Sequence, residues 1–245
     1  MVVSLALQIG TNYVNDYADG DRGVDDDRVG PTRLVGAGLL ESRQVKMAAA
    51  GSFLVAALAG LWLAAVVGPE LLVVGALSII AGWAYTGGPR PYGYYGLGEL
   101  FVFVFFGVVA TAGSTYVQTG SVSVLSLAAS VPVGLLATAL LVINNLRDIA
   151  TDRETGKLTL AVRLGDRQTR SMYISMFVAA GVFIAVCAFW TPWALVGLIA
   201  LVLAIRPVSH VRSGAIGRTL VPVLEQTGKV QLAMGAALTV GFVLA

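Results

Sequence analysis

Eight mostly apolar stretches divide this chain, each close to the roughly 20 residues that a helix needs to cross the hydrocarbon core of a bilayer. They run over residues 1–18, 46–67, 71–88, 97–117, 122–146, 170–190, 192–209 and 226–245. In lipid the backbone polar groups have to be satisfied within each segment, so the stretches predict helices. The chain is therefore expected to be an all-α, multi-pass transmembrane bundle of about eight spans. Gly87-Gly88-Pro89-Arg90-Pro91 separates the third stretch from the fourth and Thr191-Pro192 the sixth from the seventh, which puts turns where proline and glycine stop a helix. Composition agrees: of 245 residues 57% are hydrophobic and 12% charged, against about 25% charged in an average soluble chain. Cys187 stands alone, which excludes an intrachain disulfide. The first stretch has neither a basic leader nor a small-residue cleavage site, so it does not read as a removable signal peptide.

The net charge of +2 gives no average preference for polyanions, and nothing in the chain points to nucleic acid. Placement is more informative. With alternating spans, residues 19–45, 89–96, 147–169 and 210–225, with the helix ends that border them, fall on one face and collect all 16 Lys and Arg. Such residues are retained on the cytoplasmic side, so that face is expected to be cytoplasmic and both termini external, in a cell membrane protein. Acidic residues sort the same way except Glu70.

Two of these cytoplasmic loops resemble each other. The first helix ends in Asn15-Asp16-Tyr17-Ala18-Asp19 and the fifth in Asn144-Asn145-Leu146-Arg147-Asp148, each with one helical turn between Asn and Asp. Both continue to a basic-Leu stretch (Arg33-Leu34-Val35-Gly36; Arg163-Leu164-Gly165) and to a similar start of the next helix (Arg43-Gln44-Val45-Lys46; Arg167-Gln168-Thr169-Arg170). The pattern predicts two pseudo-repeats arranged around a central cavity.

Asn144, Asp148 and Asp152 recur at i, i+4 and i+8, on one face if the helix continues; Asn12, Asn15, Asp16 and Asp19 are likewise three or four apart. Carboxylates stacked in this way repel one another, and a divalent cation is the simplest compensation. Oxygen donors without Cys or His favour Mg²⁺, which takes one or two carboxylates plus phosphate oxygens. Arg28, Arg33, Arg153, Lys157 and Arg163 lie in the same loops to meet a phosphate. Ionisable groups clustered at membrane helix ends are functional by default.

The two Asp-rich segments, N-Y-V-N-D-Y-A-D-G-D-R-G-V-D (12–25) and N-N-L-R-D-I-A-T-D-R-E-T-G-K (144–157), resemble the signatures of the UbiA superfamily of intramembrane prenyltransferases. D-D-R-V-G-P-T-R (26–33), Y-T-G-G-P-R-P-Y-G-Y-Y-G-L-G-E-L (85–100) and T-L-A-V-R-L-G (159–165) look most like the branch that prenylates 1,4-dihydroxy-2-naphthoate in menaquinone biosynthesis. The resemblance covers about residues 8–170. It implies a single transmembrane prenyltransferase domain over 1–245 that transfers a polyprenyl group from polyprenyl diphosphate to 1,4-dihydroxy-2-naphthoate, with decarboxylation, giving demethylmenaquinone. It implies Mg²⁺, with Mn²⁺ as a substitute, held by Asp19, Asp25, Asp148 and Asp152 as the catalytic acids, with Asp16 in the metal set. Asn12, Asn15, Asn144, Arg33, Arg153, Lys157 and Arg163 would bind the diphosphate. Arg90 and Tyr92, in a Gly/Pro turn rich in tyrosine, would form a lid over the aromatic acceptor. The family has nine helices and carries its first motif on the second, so this chain is expected to be N-terminally short by one span.

Two alternatives stay open at this level. A sister prenyltransferase would use 4-hydroxybenzoate, homogentisate or haem as acceptor. A secondary transporter would also show repeats and intramembrane acids, but within its helices and not at helix ends beside phosphate-binding cations.

Overall fold

The computed structural model describes residues 1–24 and 30–245, and every regular element among them is helical. We number the helices α1 (Val2–Asp21), α2 (Ser42–Val66), α3 (Glu70–Ala84), α4 (Gly98–Thr119), α5 (Val124–Arg147), α6 (Ile149–Glu154), α7 (Leu160–Leu164), α8 (Asp166–Cys187), α9 (Pro192–Arg212) and α10 (Val221–Val243). Five of them, α2, α4, α5, α8 and α9, are long and apolar enough to cross a membrane. The chain is a multi-pass membrane helical bundle. Each expected stretch coincides with a helical segment, although α3 ends at Ala84, short of the expected 88, and α10 starts at Val221, five residues early. The seventh stretch is not one regular helix, since α9 alternates 3₁₀ turns at Pro192–Val196 and Leu201–Ala204 with α-helical turns.

The chain divides into two compact units. The first comprises Met1–Gly98 and Ala150–Leu160. In it α1 packs chiefly on α2, and α3 packs on both. Gly10, Val14, Tyr17 and Ala18 form the buried stripe of α1 at three- and four-residue spacing, against Val45, Ala49 and Phe53 of α2. Glycine allows the approach: a Cβ at Gly10 would lie 2.9 Å from the Phe53 ring. Trp83 of α3 completes the cluster, its ring centroid 6.0 Å from Tyr17 and 6.3 Å from Phe53. Helix α2 begins with a capping box in which Gln44 accepts from the Glu41 backbone N–H.

The second unit comprises Glu99–Ile149 and Ala161–Ala245. Helix α5 is its centre: 61% of its apolar window is buried, against 11% for α4. Leu136, Val142 and Ile143 of α5 pack with Tyr173, Phe177 and Ile184 of α8 and Val230 and Met234 of α10. Tyr173 and Thr227 share a buried hydrogen bond of 2.6 Å between their hydroxyls. Helix α4 widens into π-helical turns over Phe103–Val109, and there it meets α5. A Cβ added at Gly107 would lie 2.5 Å from the Gly134 Cα, so the two backbones touch. Close small-residue crossings of this kind hold membrane helices together where lipid offers no hydrophobic drive.

Candidate active site at the two Asn/Asp motifs

The first motif occupies the last turns of α1. A carboxylate at a helix C-terminus opposes the helix dipole and needs a cation or donors nearby. Asp19, 1% exposed, has both. The Lys157 ammonium donates to its Oδ2 at 2.7 Å and the Tyr94 hydroxyl donates to its Oδ1 at 2.7 Å. With the Asn15 amide turned to donate, its N–H reaches Asp19 Oδ2 at 2.9 Å while its oxygen accepts from Arg33 Nη2 at 2.7 Å. Asn15, Asp19, Arg33 and Lys157, four of the residues expected at the site, are thus joined in one network.

Tyr94 is the hinge of that network. Its ring has the Arg22 guanidinium 5.0 Å from the centroid and the Lys157 ammonium 5.4 Å from it. Burial first, then the Asp19 carboxylate, push its phenol well above the ordinary value, so the hydroxyl remains a donor. Arg22 also donates to the backbone oxygens of Thr86 at 2.6 Å and Gly88 at 2.8 Å, tying the turn after α3 to the end of α1.

Asp16 is buried, and its two oxygens accept the Leu34 and Val35 backbone N–H groups at 2.9 and 3.0 Å. That gives it a place in fixing the loop carrying Arg33. Asn12 is exposed, with its amide donating to the Gln8 carbonyl. Asp25 lies outside the described residues.

In the second motif the helix does not continue through the three residues, so the condition for their sharing one face is not met. Helix α5 ends at Arg147, Asp148 has non-helical φ −99° and ψ 8° as its cap, and α6 starts afresh at Ile149. The i, i+4, i+8 face of Asn144, Asp148 and Asp152 is therefore interrupted, because the cap breaks the backbone ladder that would have kept the three in phase. Asn144 and Asp148 belong to the second unit and Asp152 to the first. Arg147, 7% exposed, makes a bidentate pair with Asp148, Nε to Oδ1 and Nη2 to Oδ2 both at 2.6 Å, and its Nη2 also reaches Asn144 Oδ1 at 2.7 Å. Asp152 is buried, while Arg153 and Arg163 are exposed.

Of the expected lid residues, Arg90 is exposed and Tyr92 donates from its hydroxyl to the Ala81 carbonyl of α3 at 2.9 Å, which anchors the turn. Burial holds the Tyr92 phenol high. Sequence reasoning missed Tyr94, Arg22 and Arg147. One signal was available for Arg147: a cation inside the last turn of an apolar helix, flanked by the Asn and Asp of the motif. Nothing in Tyr92-Gly93-Tyr94-Tyr95 distinguishes the middle tyrosine.

Among the described residues, no three His, Cys, Asp or Glu side chains gather closely enough to hold a metal ion by themselves. The donor chemistry still suits Mg²⁺, which needs only one or two carboxylates beside phosphate oxygens. Asp19 and Asp148 each already hold a cationic side chain at contact distance.

Residues 1–213 match the UbiA prenyltransferase family, and the chain belongs to that family. It is 52% identical over 237 residues to the 1,4-dihydroxy-2-naphthoate octaprenyltransferase of Mycobacterium tuberculosis, covering 97% of this chain and 81% of that protein. The Escherichia coli protein of the same description is 38% identical over 249 residues, with 98% and 79% covered. Among solved structures, a UbiA homolog from Archaeoglobus fulgidus bound to DMAPP and Mg²⁺ is similar with a TM-score of 0.56 at 13% identity, covering 98% of this chain and 88% of that one. At that identity the likeness concerns the fold.

Proposed function

We propose that this protein transfers a polyprenyl group from polyprenyl diphosphate to 1,4-dihydroxy-2-naphthoate with loss of CO₂, the step that forms demethylmenaquinol, the reduced form of demethylmenaquinone. The observation that carries the reading is the Lys157–Asp19 pair, which joins the diphosphate-binding end of the second motif to the acid of the first. The relatives' descriptions support the naphthoate as acceptor.

Asp19, Asp25, Asp148 and Asp152 would hold Mg²⁺, whose bound charge offsets that developing on the diphosphate leaving group. Lys157, Arg33, Arg153 and Arg163 donate to the phosphate oxygens, and Asn12, Asn15 and Asn144 orient them. Tyr94 and Asn15 keep the Asp19 oxygens fixed, so little reorganisation accompanies bond cleavage. The allylic C–O bond breaks with its electron pair going to diphosphate. The ring carbon bearing the carboxylate forms the new C–C bond, and the C–CO₂⁻ bond returns its pair to the ring as CO₂ departs. Asp16 serves by holding the loop that carries Arg33. Tyr92 anchors the turn that presents Arg90, the cation for the naphthoate carboxylate.

Eight membrane crossings with cytoplasmic motif loops belong to the same proposal. So does the pseudo-repeat, supported by the matching helix pairs α1–α2 and α5–α8, each packed together within its own unit. Membranes of expressing cells incubated with Mg²⁺, a labelled polyprenyl diphosphate and a panel of aromatic acids test the function. Label should pass to 1,4-dihydroxy-2-naphthoate, EDTA should abolish transfer and Mn²⁺ partly restore it. Transfer to 4-hydroxybenzoate or homogentisate in preference would overturn the acceptor.

A further inference from the structure

Glu99 is the only Asp, Glu, Lys, Arg or His in α4, and it is 6% exposed. Its Oε1 accepts a hydrogen bond from Asn145 Nδ2 at 3.0 Å. Its Oε2 is fully buried and receives no hydrogen bond from any described residue. A buried carboxyl oxygen without a donor is costly, and in a membrane protein such a group is retained for a task. Asn145 follows Asn144 of the second motif, so the open oxygen lies within the same unit as the Asn144–Arg147–Asp148 cluster. Arg147 is not its missing partner. Residues 145 and 147 leave α5 about 200° apart around the helix, and the Arg147 fork is turned to Asp148 and Asn144.

We infer that Glu99 binds the aromatic acceptor, its Oε2 accepting a hydrogen bond from a phenolic hydroxyl of the ring. The inference rests on the acceptor reading above and adds the residue that recognises the hydroxyls. The chemistry matches on both sides. The orphan atom is an acceptor with no donor, and a dihydroxynaphthoate brings two hydroxyl donors. Drawing a phenolic proton toward Oε2 raises electron density on the ring, which favours attack on the allylic carbon. No net proton is transferred, because CO₂ leaves without its electron pair and the hydroxyl keeps its hydrogen. Asn145 positions the carboxyl group by holding Oε1, which leaves Oε2 as the oxygen without a partner.

The test uses the full chain in lipid nanodiscs under reducing, oxygen-free conditions, with no prenyl donor. Binding of 1,4-dihydroxy-2-naphthoate and of its two mono-methyl ethers is followed by tryptophan fluorescence. Wild-type protein should bind the diphenol roughly 10- to 100-fold more tightly than at least one ether, the range set by leaving a buried hydrogen-bonding oxygen unpaired. Glu99→Gln keeps an oxygen for Asn145 and places an N–H donor where Oε2 stood. It should bring diphenol and ether affinities together, while the Kd for polyprenyl diphosphate with Mg²⁺ and the melting temperature stay at wild-type values. Equal binding of diphenol and both ethers by the wild type overturns the inference, and needs no variant to fold. Retention of the preference by Glu99→Gln overturns it as well. Wild-type protein that prenylates the diphenol yet binds all three compounds alike removes only the role of Glu99; wild-type protein that prenylates no naphthoate overturns the acceptor reading and this inference with it.

Discussion

Lys157 Nζ stands 2.7 Å from Asp19 Oδ2, an ion pair between residues 138 positions apart, with side chains 12% and 1% exposed. Two substitutions at this pair should behave differently. Asp19→Asn removes the charged acid and leaves the Lys157 ammonium, on a side chain that is 12% exposed, to be met by water, so the rate in saturating Mg²⁺ should fall at least about 100-fold. Lys157→Met leaves a buried carboxylate without its cation and should cost stability as well, about 3–5 kcal/mol. Thermal unfolding in detergent should therefore show a lower Tm for Lys157→Met than for Asp19→Asn, and the double variant should recover Tm without recovering activity. Equal Tm values for the two single variants would contradict this account.

Tyr94 sets an alkaline limit on stability. Its phenol is held above the ordinary value by burial and by Asp19, so the folded state keeps a proton that the unfolded chain gives up near pH 10. Stability from this source is fully present below about pH 10 and is lost as pH rises from there toward the folded value. Tm should be flat from pH 7 to 9 and decline above 10, and Tyr94→Phe should flatten the decline. The same variant removes the donor to Asp19 Oδ1 and should lower kcat by about 10-fold.

Arg147 holds Asp148 and Asn144 through a planar fork that lysine cannot reproduce. Arg147→Lys should keep the charge but lose the bidentate geometry. We expect a drop of 10-fold or more in kcat/KM for the prenyl donor, about 1.5–3 kcal/mol, with a higher Mg²⁺ concentration needed for half-maximal rate. A variant with an unchanged Mg²⁺ requirement would separate Arg147 from the metal site.

The crossing of α4 and α5 offers a test of packing alone. Gly107→Ala puts a methyl 2.5 Å from the Gly134 Cα, where backbone has to move, whereas a Cβ at Gly113 on the same helix meets nothing within 4 Å. Gly107→Ala should destabilise by about 1–3 kcal/mol and Gly113→Ala should leave Tm near that of the wild type. Thermal unfolding of the two variants side by side checks this.

Topology is checked by reporter fusions. Fusions after Val67, Gln118 and Ala245 should report outside, and fusions after Gly36, Gly156 and Ser213 inside, because that partition keeps all 16 Lys and Arg on the cytoplasmic side. An external signal at Gly156 would undo the eight-span proposal.

Hydropathy made the helical segments legible in the sequence, since a bilayer leaves the backbone few choices. The network around Asp19 was legible in part. Asn15, Asp19, Arg33 and Lys157 stand in motifs whose spacing already set them apart, and the structure joins them. The end of α5 was legible from the fifth apolar stretch and its closing Asn144–Asp148 motif, whereas the fresh start at Ile149 was not, because Ile149–Glu154 is too short to carry a hydropathy signal. Glu99 was overlooked for the opposite reason: a lone acid opening an apolar stretch looks like an edge of the membrane until its burial and its bond to Asn145 are known. Tyr94 depends on a contact 75 positions away, beyond the reach of any local pattern.

The wide turns at Phe103–Val109 carry a consequence for how this chain compares with its relatives. A π turn accommodates about one residue more than an α turn, so side chains beyond Val109 are rotated out of phase with those before Phe103. An insertion or deletion of a single residue can therefore be absorbed inside this membrane helix as a change of pitch, with no loop altered at either end. Aligning Ala110–Thr119 on hydrophobic period alone would slip the register by one and exchange its lipid-facing and protein-facing sides.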